Sequence, residues 1–199
     1  MMRDVVEQAW YFAEGKHMGQ VRKYTGEPYF NHPVAVSEIV KTVTDDEYMI
    51  AAALLHDTVE DTDATRGEIL REFGPEIFKL VHFLTDISLP EDGNREIRKE
   101  IDRIHVSCGP AAVHTIKLAD LIDNTKTIVK HDPNFAVTYM REKKALLEVL
   151  NAGDFTLFNR AFRTMQKYEE DRMYDAIGRC LLDIFTYKRR KSRLNENIK

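Results

Sequence analysis

Residues 47–61 read EYMIAAALLHDTVED and contain the longest apolar run of the chain. The run from Tyr48 to Leu55 is apolar on nearly all sides, which predicts a buried helix extending to about Val59. Four ionisable side chains follow the apolar run: His56, Asp57, Glu60 and Asp61. Residues four apart share one face of a helix, so these side chains form two neighbouring pairs. Because buried unpaired carboxylates are costly, the cluster favours a bound cation or partner charges, although a capped helix end without function is the alternative.

Helical periodicity also dominates the remaining sequence, which lacks the sustained apolar–polar alternation of a strand. Pro33 is expected in the first turn of one helix, and Gly74–Pro75 is expected to break another. A long helix is predicted from Gly109–Pro110 to about Lys130. The charged stretch Ser88–Glu100 is predicted to be a mobile loop or a frayed helix. We therefore expect an all-α fold.

Length and composition limit the domain organisation. The chain has 199 residues, a length that is enough to bury one hydrophobic core. Hydrophobic residues make up 43% and charged residues 31%, as in ordinary globular proteins. We expect a single domain with a C-terminal helical extension. The core is expected over residues 1–150. Helices over residues 151–199 are expected to pack on it and to end in a polar, basic tail from Lys188 onward.

Charge, apolar runs and cysteines argue against several classes of protein. A net charge of −4 does not suit a sequence-independent nucleic-acid binder, which needs positive charge to displace counterions. No apolar run reaches the ~18 residues of a membrane span, and the first residues lack the apolar core of a signal peptide. Cys108 and Cys180 have no metal or redox spacing, which is typical of a reducing compartment. We expect a cytoplasmic protein that binds neither nucleic acid nor membranes; its oligomeric state is left open.

A second polar cluster interrupts the predicted helix in the segment Lys117–Asn124, which reads KLADLIDN. The apolar stripe of Val113 and Ile116 continues on the same face with Asp120 and Asn124. Polar groups that face the interior need partners. In the functional interpretation, Asp120 is a further metal ligand, and Asn124 contacts a substrate or supports a ligand. The alternative is a helix rotated so that Asp120 faces solvent.

A third cluster lies around the start of the helix that contains Pro33. His32 is either a cap or surface residue, or it completes a ligand set with the residues at 56, 57 and 120. Such a mixed nitrogen and oxygen set suits manganese, iron or zinc better than magnesium. Arg22 and Lys23, on the preceding loop, are either a solvated pair or the groups that neutralise a phosphate.

Four elements of the chain, taken in their order along the sequence, resemble the HD-superfamily hydrolase domain of the RelA/SpoT alarmone enzymes. They are Arg22-Lys23, Asn31-His32-Pro33, His56-Asp57 followed after two residues by Glu60-Asp61, and Lys117-Leu118-Ala119-Asp120 with Asn124. The stretches GEPY (26–29) and ALLHDTVEDT (53–62) are especially similar to stand-alone small alarmone hydrolases and the metazoan SpoT homologue. The resemblance covers about residues 1–150 and implies an HD-type helical bundle.

The resemblance implies a role for each matching residue. One manganese ion per chain, or another divalent ion, would be bound by His32, His56, Asp57 and Asp120. The attacking water would be activated and oriented by Glu60 and Asp61. The nucleotide would be contacted by Arg22, Lys23, Asn124 and Thr127. The implied reaction releases pyrophosphate from the 3′ position of a guanosine 3′,5′-polyphosphate, (p)ppGpp, which leaves GDP or GTP.

Departures from the family pattern concern substrate preference. Bifunctional members often have Arg or Lys after the Lys-Leu-Ala-Asp run and then Asn-Met-Arg-Thr, whereas this chain has Leu121 and the run 124–127, NTKT. Glu91 and Asp92 are acidic where the metazoan relative is basic. The alternatives are another HD phosphohydrolase, acting on (p)ppApp, NADPH or nucleotides, and a non-catalytic nucleotide-sensing domain. The length of 199 residues predicts a hydrolase without synthetase and regulatory domains.

Overall fold

The computed structural model describes residues 4–196, with side chains described through residue 177. Its α-helices are α1 (Val5–Lys16), α2 (Asn31–Lys41), α3 (Glu47–Leu55), α4 (Thr58–Asp61), α5 (Arg66–Leu84), α6 (Arg95–Ser107), α7 (Ala111–His131), α8 (Pro133–Val149) and α9 (Phe155–Glu196), and a 3-10 helix covers Pro90–Asp92. Residues 4–196 contain no β-strand, only an isolated bridge between Val21 and Pro28. The predicted all-α fold is confirmed.

Helix α3 lies in the core and packs against α1, α2 and α5. Its residues from Ile50 to Leu55 are buried, as the apolar run predicts. Helix α7 packs against α2, α3, α5 and α8. Because α2, α3 and α7 contact one another, polar side chains on their facing sides come together in the interior.

Side-chain caps explain where several helices begin. The carboxylate of Asp46 accepts hydrogen bonds from the backbone N–H groups of Tyr48 and Met49, at 2.9 and 3.3 Å, and so begins α3. Thr65 and Glu68 form a reciprocal capping box at the start of α5. Pro33 lies in the first turn of α2, as predicted.

The helix predicted over residues 47–59 is wrong at its C-terminal end. Helix α3 ends at Leu55, a turn contains His56 and Asp57, and α4 begins at Thr58. The Thr58 hydroxyl donates to the carbonyl of Leu55 at 2.7 Å, and His56 Nδ1 lies 2.9 Å from the carbonyl oxygen of Ala53. Side chains thus compete for the carbonyls of the last turn of α3. The four ionisable residues therefore do not lie along one continuous helix.

The mobile loop or frayed helix predicted over residues 88–100 is wrong for residues 95–100, which belong to a regular helix. Helix α6 begins at Arg95, and Asn94 caps it by accepting a hydrogen bond from the N–H of Ile97 at 3.1 Å. The segment before α6 is tied down by Asp102, which accepts from the N–H groups of Ile87 and Ser88, both at 2.9 Å. Hydrogen bonds to α6 therefore hold the start of this segment at residues 87–88, and the segment leads into a regular helix.

Two further predictions about helix limits are confirmed. Gly74 adopts a φ of 77° and kinks α5 where the break at Gly74–Pro75 is predicted. Glycine suits this left-handed conformation because it has no Cβ. Helix α7 covers Ala111–His131, close to the predicted range.

The chain divides into two compact units, one ending at Phe162 and the other beginning at Arg163. The first contains α1 to α8 and the start of α9, and the described part of the second is helical. The predicted boundary at residue 150 and the packing of residues 151–199 on the core stay predictions. The basic tail from Lys188 lies outside the residues whose side chains are described. Across residues 4–196, we find no helix that combines the length and the apolar character of a membrane span.

Candidate metal centre and active site

Two histidines and an aspartate converge between α2 and the turn that follows α3. One potential ligand atom from each of His32, His56 and Asp57 lies within 4.8 Å of the other two. Asp57 Oδ1 is 3.2 Å from His56 Nε2, and Asp57 Oδ2 is 3.6 Å from His32 Nε2. Both histidines are buried, so His32 is not a surface residue.

Asp120 reaches the same place from α7. Its Oδ1 lies 3.2 Å from His32 Nε2, and its Oδ2 lies 2.9 Å from Lys117 Nζ. The side-chain amide of Asn124 donates to Asp120 Oδ1 at 2.6 Å. Asp120 is buried, so the alternative of a helix rotated toward solvent is wrong. The four predicted ligands therefore lie side by side, and their joint binding of one ion stays a prediction.

The donor atoms of this cluster fit a metal cation. His56 Nδ1 is within hydrogen-bond distance of the Ala53 carbonyl, whereas the buried Nε2 forms no hydrogen bond with the described residues and faces Asp57 Oδ1 at 3.2 Å. Burial lowers the pKa of His32, but hydrogen bonds to Asp120 and Asp123 and the charge of Asp57 raise it to about 9. Carboxylates that attract a proton this strongly also attract a metal ion, which binds neutral imidazole in place of that proton.

The acidic pair of α4 adjoins these residues. The hydroxyl of Tyr29 lies 2.7 Å from both Asp57 Oδ2 and Asp61 Oδ2. Glu60 accepts a hydrogen bond from the backbone N–H of Asp86 at 3.2 Å. Desolvation and the Asp86 charge raise the pKa of Glu60 to about 7, while desolvation and the Asp57 charge raise the pKa of Asp61. A carboxyl group with a pKa of about 7, such as that of Glu60, can exchange protons near neutral pH.

Arg22 reaches α7 from the loop between α1 and α2. Its Nη2 donates to Thr127 Oγ1 at 3.0 Å and to Asn124 Oδ1 at 3.3 Å, and its Nη1 lies 3.6 Å from Asp123 Oδ2. The side chain is only 12% exposed, so Arg22 is not a solvated surface residue. Three of the four predicted nucleotide contacts, Arg22, Asn124 and Thr127, therefore form one cluster.

Lys23 lies apart from that cluster. The residue is exposed, and its ammonium lies 5.0 Å from the centroid of the Tyr24 ring. The hydroxyl of Tyr24 in turn donates to Asp132 at 2.9 Å. The structure does not bring Lys23 to Arg22 and Asn124, so its contact with a nucleotide stays a prediction.

Sequence reasoning missed three residues of the site: Tyr29, Lys117 and Asp123. Asp123 Oδ2 lies 2.8 Å from His32 Nδ1. Asp123 follows Asp120 by three residues, so the helical period could have placed both on one face. Lys117 precedes Asp120 by the same spacing and pairs with it. The Tyr29 hydroxyl is placed by tertiary packing, and its position in a loop carries no periodic signal.

A cleft of about 540 Å³ opens beside Asp120 and Asn124. This volume falls within the usual range for small-molecule sites. Several basic residues of its wall are held by acidic partners: Arg95 by Glu142, Lys99 by Asp86 and Arg103 by Glu100. The cleft thus lies next to one of the four candidate metal ligands, Asp120, and has these charged pairs in its wall.

These features define a class of protein: an all-α bundle with a buried histidine–aspartate cluster beside a cleft of ligand size. Residues 9–153 match the family model described as HD domain. The chain therefore belongs to the HD domain family, as its motifs predict.

Relatives of known description agree with this assignment. The chain is 40% identical over 127 residues to the GTP pyrophosphokinase rsh of Brucella ovis and 39% identical over 123 residues to the guanosine-3′,5′-bis(diphosphate) 3′-pyrophosphohydrolase of Aquifex aeolicus. Each match covers 62% of this chain but only 17% and 18% of those relatives, so the chain spans less than a fifth of their length. A solved structure of a metazoan ortholog of SpoT, which hydrolyses ppGpp, superposes with a TM-score of 0.75 at 28% identity, covering 84% of this chain and 97% of that one. The predicted resemblance to RelA/SpoT proteins is confirmed.

Proposed function

We propose that the protein is a metal-dependent 3′-pyrophosphohydrolase of guanosine 3′,5′-polyphosphates, (p)ppGpp. The observation that carries the proposal is the convergence of His32, His56 and Asp57 within 4.8 Å of one another. The likeness to the metazoan SpoT ortholog, which hydrolyses ppGpp and is covered over 97% of its length, supports the choice of substrate. A cytoplasmic location is part of the proposal, because a free, exposed thiol at Cys108 suits a reducing compartment.

The proposed metal is one Mn²⁺ per chain, held by His32, His56, Asp57 and Asp120. Two imidazole nitrogens and two carboxylates form a mixed donor set, which suits a transition metal better than magnesium. When bound, the ion would lower the pKa of water and withdraw charge from the reacting phosphate.

Glu60 and Asp61 are proposed to move the protons of the reaction. Water adds to the phosphorus attached to the ribose 3′ oxygen, and the bond between that phosphorus and the 3′ oxygen breaks. One carboxylate takes the proton that the water loses, and a carboxyl group of the pair returns a proton to the 3′ oxygen. The products are pyrophosphate and GDP or GTP. The raised pKa of Glu60, about 7, suits this exchange.

Other residues of the site hold these groups in place. Desolvation and the charges of Asp57 and Asp61 raise the pKa of Tyr29, so its hydroxyl remains a hydrogen-bond donor between the two carboxylates. Burial lowers the pKa of Lys117, but the charges of Asp120 and Asp86 raise it more. Lys117 therefore remains an ammonium that fixes Asp120.

A substrate panel tests the proposed function. The protein is incubated with Mn²⁺ and ppGpp, pppGpp, ppApp, NADPH or deoxynucleotides, and released phosphate and pyrophosphate are measured separately. We expect pyrophosphate from ppGpp and pppGpp. Release of phosphate from NADPH alone would favour another HD phosphohydrolase activity. Nucleotide binding without turnover of any compound would favour a sensing domain.

Arg22→Ala is expected to lower kcat/KM for ppGpp by roughly 10–150-fold, because a charge-assisted hydrogen bond to phosphate contributes about 1.5–3 kcal/mol. The loss should be smaller for a simple phosphomonoester, and metal content should not change. Arg71→Ala is a matched control, since Arg71 is 66% exposed and pairs with Glu72 at the surface. Equal losses on both substrates would mean that Arg22 acts through the fold or the metal site rather than on the polyphosphate.

A further inference from the structure

Asp123 lies between the candidate metal ligand His32 and the guanidinium of Arg22. Its Oδ2 is 2.8 Å from His32 Nδ1 and 3.6 Å from Arg22 Nη1. Lys126 Nζ lies 3.5 Å from the other carboxylate oxygen. The Asp123 side chain is 14% exposed, so these contacts are made largely out of water. One carboxylate therefore contacts both the metal site and the cluster proposed to bind phosphate.

The contact with Asp123 decides which nitrogen of His32 is available as a ligand. A carboxylate beside Nδ1 favours the proton on that nitrogen, which leaves the lone pair on Nε2. Nε2 is the atom that faces Asp57 and Asp120. A carboxylate that accepts the second N–H of a ligating histidine fixes the ring and raises the basicity of the ligand nitrogen.

The two candidate ligand histidines differ in this respect. His56 Nδ1 lies 2.9 Å from the backbone carbonyl of Ala53, a neutral group fixed by α3. His32 depends on a side chain whose charge is shared with Arg22.

A second path joins Arg22 to the metal site. The Arg22 guanidinium donates to Asn124 Oδ1 at 3.3 Å, and the amide of Asn124 donates to Asp120 Oδ1 at 2.6 Å. The guanidinium therefore contacts both supporting residues. Asp123 supports His32, and Asn124 supports Asp120. Both supports therefore also hold the Arg22 guanidinium in a defined position beside the candidate ligands.

We propose that Asp123 is a positioning residue that orients His32 for metal binding and at the same time holds the Arg22 guanidinium at the edge of the site. The inference rests on the proposed function, since it takes His32 to be a metal ligand. It adds a residue that serves the metal and the polyphosphate together.

Three variants test the inference: Asp123→Ala, Asp123→Asn and, as a control that also removes one carboxylate, Asp45→Asn at an exposed position in the segment between α2 and α3. The Mn²⁺ dissociation constant of each is measured by competition with a chelating dye. We expect Asp123→Ala to weaken Mn²⁺ binding by about 10–100-fold, the usual effect of removing the partner of a ligating histidine. Asp123→Asn should weaken Mn²⁺ binding about tenfold, because an amide oxygen still accepts a hydrogen bond. The control should bind Mn²⁺ like the wild type.

Steady-state kinetics at saturating Mn²⁺ separates positioning from a general loss of structure. With the metal site filled, Asp123→Asn should recover most of its kcat, whereas KM for ppGpp should stay raised because Arg22 has lost its anion. A merely structural defect would lower kcat at every Mn²⁺ concentration and would contradict the proposal. Circular dichroism of the metal-free proteins checks that the variants keep their helices.

The outcomes distinguish this inference from the proposed function. Wild-type Mn²⁺ affinity in both Asp123 variants, with the wild-type protein binding one Mn²⁺, would overturn the role of Asp123 and leave the proposed metal site in place. A raised KM with unchanged Mn²⁺ affinity would mean that Asp123 serves Arg22 alone, which also overturns it. A wild-type protein that binds no Mn²⁺ would overturn both proposals. If Asp123→Ala does not fold, Asp123→Asn decides the question.

Discussion

His56→Ala is expected to remove the metal and to lower hydrolysis of ppGpp by about 10³-fold or more. The Nε2 atom of His56 is buried, forms no hydrogen bond with the described residues and lies 3.2 Å from Asp57 Oδ1, so removing it takes one of the four proposed ligand atoms from the site. Metal-ion catalysis contributes several kcal/mol, and each ~1.4 kcal/mol corresponds to a tenfold change in rate. Elemental analysis of purified protein and turnover with added Mn²⁺ measure the two effects.

His114→Ala provides a control of matched burial. His114 is buried like His56, its Nδ1 likewise has a backbone partner, the N–H of Ala152 at 3.3 Å, and its Nε2 likewise forms no hydrogen bond with the described residues. It differs from His56 in lying outside the candidate site. This variant should lose stability, because it opens a cavity, yet retain its metal. A His56→Ala protein that still holds one metal ion per chain and turns over ppGpp would contradict the proposed site.

Glu60→Gln and Asp61→Asn are expected to lower kcat by about 10²–10⁴-fold while metal content is kept, the effect expected for lost acid–base catalysis. Both substitutions preserve size and remove only the ability to exchange a proton. Asp63→Asn is the control on the same segment, since Asp63 is 87% exposed and its ion pair with Lys16 contributes little. Metal content is measured alongside kcat for all three. Loss of metal from Glu60→Gln or Asp61→Asn would show that the residue is a ligand, and the assigned role would be wrong.

The ligand cluster could be predicted because its residues follow strong patterns. His56 and Asp57 come directly after a buried apolar run, and Asp120 interrupts an apolar stripe. Each pattern also allowed an alternative without function. Burial excludes a surface position for His32 and a solvent-facing rotation for Asp120. The family resemblance added the order of the motifs, which no single helix pattern supplies.

The contacts that support the cluster could not be predicted from periodicity. Tyr29 lies on a loop, and its position between Asp57 and Asp61 depends on how that loop packs on α4. The pairing of Asp123 with His32 joins residues of two different helices. Sequence spacing gives the face of one helix but not the partner that this face meets.

The errors in helix limits have local causes. The turn at residues 56–57 follows from side chains that bond to backbone carbonyls, a competition that hydrophobicity does not report. Helix α6 was obscured by its many charges, although Asn94 is a good cap and Ile97, Ile101 and Ile104 recur at helical spacing. The many charges of this segment therefore do not indicate mobility, because its isoleucines still form a helical stripe.

With the proposed metal bound, the turn between α3 and α4 would make the amount of folded protein depend on the supply of metal. Its two ligand candidates meet His32 and Asp120, which are 88 residues apart in the sequence, so the complete donor set exists only in the assembled chain. A cation that binds the assembled form alone stabilises it by about 2.7 kcal/mol at a hundredfold excess over its Kd. A difference of 1–2 kcal/mol already changes cellular abundance several-fold through proteolysis. In a metal-poor cell, such an enzyme would lose both its activity and its lifetime.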